Sequence, residues 1–258
     1  MGTEILLRLF NAPPSAALRS SLKRVADRAL PQICFFCGDS SDETVCAPCA
    51  AVLARLAEQV CPRCQLAAAN GEVCGRCLKK PPLWEHLVAL WQYEFPLDRA
   101  MISAKYHHAF AIYRWAAVQP KAWPFAANAT LIPVPLADLR LQSRGYNQAQ
   151  LIAGEMAKRF GLRVDANAVV RIRETDIQQR LNWSERRQNV RAAFVTTRSF
   201  AGESVVLIDD VLTTGATLNA LARALLDAGA TRVDAFVLAR VLPIRRRDRV
   251  VKFGQAIA

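Results

Sequence analysis

No apolar stretch of this 258-residue chain approaches the roughly 20 residues that a helix needs to cross a bilayer. A transmembrane segment is therefore not expected. The opening run Ile5-Leu6-Leu7-Arg8-Leu9-Phe10 is too short and too interrupted for a secretory signal, which points to the cytoplasm. Acidic residues are scarce: 22 Asp and Glu stand against 34 Lys and Arg, for a net charge of +12 and a pI near 9.8. That balance disfavours basic partners. It fits nucleic acid, phosphorylated ligands or anionic membrane surfaces, or simply a solvated basic surface. Cysteine is absent outside residues 34–77. The neighbours His107 and His108 have no Cys, Asp or Glu at ligand spacing, so they read as a polar loop rather than a metal site. Apolar residues make up 52% of the chain, ample for a core of one large domain or two.

Within residues 34–77 the eight cysteines form four Cys-x-x-Cys pairs: Cys34/Cys37, Cys46/Cys49, Cys61/Cys64 and Cys74/Cys77. Two thiolates separated by two residues reach one ion from a tight turn, and a second pair completes a tetrahedron. The simplest pairing places one zinc on Cys34, Cys37, Cys46 and Cys49 and another on Cys61, Cys64, Cys74 and Cys77. Interleaved pairings, an iron–sulfur cluster and a disulfide scaffold are the alternatives. Gly38 and Gly75, each following a cysteine, suit knuckle turns. Eight ligands for two ions leave no open coordination position, so the zincs read as structural. A segment of this size with few large apolar side chains needs metal binding for much of its folding free energy.

The second signal is Val205-Val206-Leu207-Ile208-Asp209-Asp210-Val211-Leu212-Thr213-Thr214-Gly215-Ala216-Thr217. Four apolar residues predict a buried parallel strand ending at two carboxylates. A Thr- and Gly-bearing loop then opens a helix with Leu218, Leu221 and Leu225 on one face. Hydroxyls of Thr213, Thr214 and Thr217, backbone N–H groups freed at Gly215 and the positive end of the helix form a nest for a phosphate monoester. Asp209 and Asp210 would accept hydrogen bonds from a vicinal diol or approach magnesium through water. A phosphorylated ribose satisfies both halves.

These thirteen residues resemble the phosphoribosyl-pyrophosphate (PRPP) motif of type I phosphoribosyltransferases. The resemblance implies Asp209 and Asp210 on the ribose hydroxyls and Thr213, Thr214, Gly215, Ala216 and Thr217 around the 5′-phosphate. Upstream, Val88–Phe95 reads as an edge strand and Leu97–Tyr106 as a helix. Leu131-Ile132-Pro133-Val134-Pro135 reads as a short buried strand stopped by its prolines, followed by a polar turn. Arg144-Gly145-Tyr146-Asn147-Gln148 then leads into a helix over Ala149–Phe160 that Gly161 ends. Arg144 beside Gly145 offers a cation and open backbone N–H groups to a pyrophosphate, and Lys105 is a further cation for it.

Four Cys-x-x-Cys pairs, then Lys105-Tyr106-His107, the Ile-Pro-Val-Pro strand, Arg144-Gly145-Tyr146-Asn147-Gln148-Ala149 and the PRPP motif resemble, in that order, the ComF family of competence proteins. The likeness spans roughly residues 30–240. It implies an α/β fold, a type I phosphoribosyltransferase-like parallel sheet flanked by helices and preceded by a small double zinc-ribbon module. The expected layout is a basic helical segment over 1–30, the double ribbon over 31–80, the phosphoribosyltransferase-like domain over 84–243 and a basic tail over 244–258. Implied ligands are two structural zincs and PRPP with magnesium. Implied roles are handling of incoming single-stranded DNA beside the competence helicase machinery, an active phosphoribosyltransferase, or a PRPP-sensing adaptor of the kind linked to gluconate utilisation. In the enzymatic case Arg144, Asp209 and Asp210 would be catalytic: Arg144 would stabilise departing pyrophosphate while a nucleophile attacks the anomeric carbon.

Between the two phosphate loops, Arg171, Arg173, Arg180, Arg186, Arg187 and Arg191 outnumber Glu174, Asp176 and Glu185. In the resembled enzymes this region closes over the site. Gln178, Gln179, Arg187 and Asn189 are the lid candidates. Equally, the stretch reads as a solvated basic helix and hairpin, or with Trp183 as a track for single-stranded DNA. Arg245-Arg246-Arg247-Asp248-Arg249 reads as a solvated tail. No base-recognition hood is evident in the sequence.

Overall fold

The computed structural model describes residues 33–107, 109–171 and 193–243. They fall into two compact units, one ending at Ala50 and the other beginning at Ala51. The first holds Cys34, Cys37, Cys46 and Cys49, with the short helix α1 (Ala47–Ala51) at its end.

The second unit opens with the remaining cysteines and the one-turn helix α2 (Gly75–Lys79). After that come β1 (Leu87–Gln92), α3 (Leu97–His107), α4 (Ala111–Ala117) and β2 (Thr130–Pro133). Helices α5 (Asp138–Arg144) and α6 (Gln148–Phe160) and strands β3 (Arg163–Val164), β4 (Val169–Arg171) and β5 (Phe194–Thr196) follow. The unit finishes with β6 (Ser204–Leu212), α7 (Ala216–Asp227) and β7 (Arg232–Arg240).

Five strands make an all-parallel sheet in the order β1-β7-β6-β2-β3. β4 and β5 form a separate antiparallel pair. Burial on both faces explains why β6 and β7 read as near-continuous apolar runs rather than alternating ones. Leu218, Leu221 and Leu225 of α7 share one core cluster with Val205 and Leu207 of β6 and with Trp84, so the 3.6-residue spacing placed the right face inward. β1 is an edge strand as expected. Its backbone meets Arg55 through an isolated bridge at Trp91. β3 is the other edge and is only two residues long, both exposed.

Three expectations need correction. β6 does not end before Asp209: it pairs with β7 as far as Leu212↔Arg240, while its pairing with β2 stops at Ile208↔Pro133. The prolines of β2 end the ladder on one side only, so the acids lie within the strand yet beside an open crevice. The segment before Arg144 is helix α5 rather than a polar turn, closed by Gly145 at φ +70°. Gly75 is not a knuckle turn but the first residue of α2. The left-handed position lies instead after the third Cys-x-x-Cys pair, at Gln65, with φ +58°.

Candidate phosphate crevice and cysteine clusters

In an open parallel sheet a ligand docks beyond the carboxyl ends of the strands, where the chain order reverses. Here that point lies between β2, whose chain continues outward to β3, and β6, whose chain continues the other way to β7. The loop leaving β2 leads to Arg144 and Gly145, and the loop leaving β6 holds Thr213–Thr217. The two sequence signals therefore follow neighbouring strands on either side of that point.

Around Gly215 the β6–α7 loop is held tightly. Gly215 caps α7 at φ +83°, and a Cβ on it would meet Cη2 of Trp84 at 2.9 Å. Only glycine allows both the turn and the approach of the indole. Thr213, Thr214, Ala216 and Thr217 are exposed. Thr214 Oγ1 accepts from the Ala216 N–H at 3.3 Å, and Gly215 brings no side-chain cap to the first turn of α7. On the facing loop, Asn147 ties β2 to α6: its Nδ2 donates to the Val134 carbonyl at 3.0 Å and its Oδ1 accepts from the Ala149 N–H at 2.9 Å. Arg144, at the end of α5, has no ion pair among the described residues. Its charge reaches Tyr113 and Tyr146.

The two acids are in different surroundings, as expected for consecutive residues of a strand. Asp210 is buried, with Lys105 Nζ 2.7 Å from its Oδ2 and the Tyr113 hydroxyl at 3.5 Å. Lys105 therefore spends its charge on Asp210 in this structure. Asp209 retains partial exposure, and its Oδ1 accepts from the Asp210 N–H at 2.9 Å. Desolvation of the carboxyl, then the neighbouring Asp210 charge, push Asp209 well above the usual carboxylate range. Burial likewise raises the Tyr113 phenol. Tyr146 donates from its hydroxyl to the Ala104 carbonyl at 2.6 Å, joining the loop after β2 to α3.

The cysteines group as Cys34, Cys37, Cys46, Cys49 and as Cys61, Cys64, Cys74, Cys77, each set with its sulfurs within 4.8 Å of one another. Cys37 and Cys46 sulfurs are 3.8 Å apart, and those of Cys64 and Cys74 are 3.7 Å apart. A tetrahedron with Zn–S near 2.3 Å has an S···S edge of about 3.8 Å, so both sets fit zinc. The sets are built alike: the Cys46 N–H points at Cys34 Sγ at 3.3 Å, and the Cys74 N–H at Cys61 Sγ at 3.4 Å. Burial opposes ionisation of both leading thiols, but backbone N–H groups from Cys37, Cys46 and Phe36 bring Cys34 down to about 6. Those of Cys74, Arg63 and Cys64 bring Cys61 to about 7. The leading thiol of each set is thus the readiest to ionise, whereas Cys37, Cys49, Cys64 and Cys77 are raised.

The second cluster is bonded to the sheet. Trp84 Nε1 donates to the Arg63 carbonyl at 2.7 Å, and the Leu87 N–H to the Pro62 carbonyl at 2.8 Å. At the end of β7, Arg240 is 3% exposed, and its guanidinium donates to the carbonyls of Cys64 (3.0 Å), Leu212 (3.0 Å), Thr213 and Val241 (2.7 Å). It links the knuckle to the β6–α7 loop. Trp84, Tyr113 and Arg240 were missed in the sequence. An arginine closing the run Phe236-Val237-Leu238-Ala239 was the available signal for Arg240; no local signal marked the other two. A third group, Glu85, His86 and Asp234, is occupied by Arg232, whose Nε lies 2.7 Å from Asp234 Oδ2 and whose Nη2 lies 2.9 Å from His86 Nδ1.

The lid candidates Gln178, Gln179, Arg187 and Asn189, the surrounding arginines 173–191 with Trp183, His108, residues 1–30 and Arg245–Arg249 lie outside the described residues. α3 ends at His107.

Fold and site together define a phosphoribosyltransferase-type α/β domain joined to cysteine-rich knuckles. A phosphoribosyl transferase domain model matches residues 124–254, and a double zinc ribbon domain model matches residues 25–78. DNA utilization protein YhgH of Salmonella typhimurium is 31% identical over 225 residues, covering 83% of this chain and 99% of that one. Competence protein F of Haemophilus influenzae is 34% identical, covering 65% and 78%. Competence protein ComFC of Bacillus subtilis is 27% identical, covering 77% and 85%. Among solved structures, a glutamine PRPP amidotransferase from B. subtilis is similar over 52% of this chain and 26% of that one, at 20% identity and a TM-score of 0.35. The chain belongs to the ComF family of competence-related phosphoribosyltransferase-domain proteins with a double zinc ribbon. Among the described residues no helix is long and apolar enough to cross a membrane.

Proposed function

We propose that the crevice between the β2 and β6 loops binds PRPP, or a close phosphoribosyl relative, together with magnesium. The observation that carries this reading is that the glycine-turned start of α7 follows β6 and the Arg144–Gly145 segment follows β2, the two neighbouring strands at the sheet's reversal point. Thr213–Thr217 would take the 5′-phosphate, Asp209 and Asp210 the ribose hydroxyls, and Arg144 the pyrophosphate. Lys105 would join Arg144 on the pyrophosphate after releasing Asp210. Magnesium would neutralise the pyrophosphate, with Asp209 the carboxylate left uncommitted to a cation. The relatives are named for DNA utilization and competence; the cellular role proposed on that basis is an accessory one, the handling of incoming single-stranded DNA, for which a net charge of +12 is suited.

Calorimetric titration with PRPP and magnesium tests the ligand. Binding that is lost in Asp209→Ala supports the reading, and an absence of binding by the unmodified protein overturns it. Arg144, free of ion pairs among the described residues, favours a second reading as an active phosphoribosyltransferase. Pyrophosphate release from PRPP, abolished in Arg144→Ala, is its signature. Salt-sensitive binding of an oligodeoxythymidine that survives Asp209→Ala would assign the DNA role to a separate surface.

A further inference from the structure

Beside the β6–α7 loop is a cavity of about 400 Å³ whose walls come from two sources. One wall is Thr214, Gly215 and Ala216. The other is Arg76 and Lys80, on α2 and directly after it, a turn whose position is set by Cys74 and Cys77. No carboxylate lines this space. Both cations are exposed, and neither has an ion pair among the described residues. Arg240, a third cation, also lines the space but is committed to four carbonyls; Cys64 and Cys77 line it too, and their thiolates would be balanced by the zinc they hold. Two cations without ion pairs among the described residues, the glycine-turned start of α7 and the Thr214 hydroxyl thus line one cavity.

We infer that Arg76 and Lys80 of the second zinc ribbon are phosphate-binding residues, completing from outside the sheet the pocket that Thr213–Thr217 begin. The inference rests on the phosphoribosyl reading given above. It adds that the ribbon is part of the ligand site rather than a scaffold alone. A phosphate held only by backbone N–H groups and hydroxyls keeps much of its charge; two ammonium or guanidinium partners add charge-assisted hydrogen bonds and steepen the salt dependence. The recognised group is a terminal phosphate dianion. The sugar is read elsewhere, at Asp209 and Asp210.

The test uses the full-length, zinc-loaded protein, with zinc content and melting midpoint checked for each variant. Calorimetry with PRPP–magnesium and with ribose 5-phosphate compares the unmodified protein, Arg76→Ala/Lys80→Ala and the charge-conserving Arg76→Lys/Lys80→Arg. The alanine pair should bind both ligands about tenfold or more weakly, with a shallower salt dependence, while inorganic pyrophosphate binds as before. The charge-conserving pair should recover most of the affinity. Unchanged affinity and salt slope in the alanine pair overturn the inference and leave the phosphoribosyl reading standing. Should the unmodified protein bind no PRPP, that reading fails; ribose 5-phosphate then decides, with loss in the alanine pair upholding the cation site and no binding to either protein overturning it. If the alanine pair loses zinc or fails to fold, Lys80→Gln alone, beyond the end of α2, replaces it under the same criteria.

Discussion

Lys105 Nζ lies 2.7 Å from Asp210 Oδ2, with both side chains largely shielded from water. Removing one partner strands the other charge. Lys105→Met or Asp210→Asn alone is expected to cost about 3–5 kcal/mol of unfolding free energy, the range for an orphaned buried ion. Lys105→Met combined with Asp210→Asn should recover much of that loss. Urea denaturation of the two singles and the double gives the coupling. Purely additive losses would mean that the pair does not interact.

Gly215 combines a left-handed φ of +83° with an indole carbon 2.9 Å from where a Cβ would stand. Gly215→Ala should therefore destabilise by roughly 1–3 kcal/mol and shift Trp84 fluorescence. Gly154, which has open space around it, lies within α6 and is the control: Gly154→Ala should stabilise by up to about 1 kcal/mol.

Asp209 holds its proton above the usual carboxylate range because its carboxyl is desolvated and sits beside Asp210. In the unfolded chain the same group ionises near pH 4. Between that pH and the raised value the native state binds more protons than the unfolded state, so stability falls as pH rises through the window. Asp209→Asn should flatten that slope and raise the melting midpoint at neutral pH while weakening ligand binding. Parallel melting curves from pH 4 to pH 7 read the effect. A variant with the same pH slope as the parent contradicts it.

The two cysteine clusters should answer differently to loss of metal. Cys61→Ser disturbs a knuckle whose carbonyls at Pro62, Arg63 and Cys64 accept bonds from Leu87, Trp84 and Arg240. It is expected to release one zinc and lower the melting midpoint of the sheet unit. Cys34→Ser, in the other compact unit, should release one zinc and leave that midpoint unchanged. Metal analysis with calorimetric melting distinguishes the two cases.

The glycine turn after β6, the helix behind it, the cysteine sets and the short proline-stopped strand were all legible in the sequence because each is a local device. Four apolar residues, a glycine turn and a leucine stripe lie within about two dozen positions, and Cys-x-x-Cys geometry spans four. What was not legible depends on distant contacts. Lys105 was read as a cation for pyrophosphate, and nothing near it in sequence shows that α3 brings it to Asp210. The end of β6 was placed too early because a pair of acids looks like a boundary. Registry with β7 carries the strand on to Leu212, and that registry is a tertiary property. Gly75 was chosen for the second knuckle on residue type, whereas the backbone assigns the left-handed turn to Gln65.

Sheet borders are where foreign strands attach, and this protein leaves little to attach to. On one border Arg55 bridges to Trp91, and the carbonyl of Ala54 takes the amide of Gln92. The other is a two-residue strand headed by Arg163, too short and too charged to template an incoming β-segment. Edge-to-edge stacking of copies through the parallel sheet is thereby suppressed.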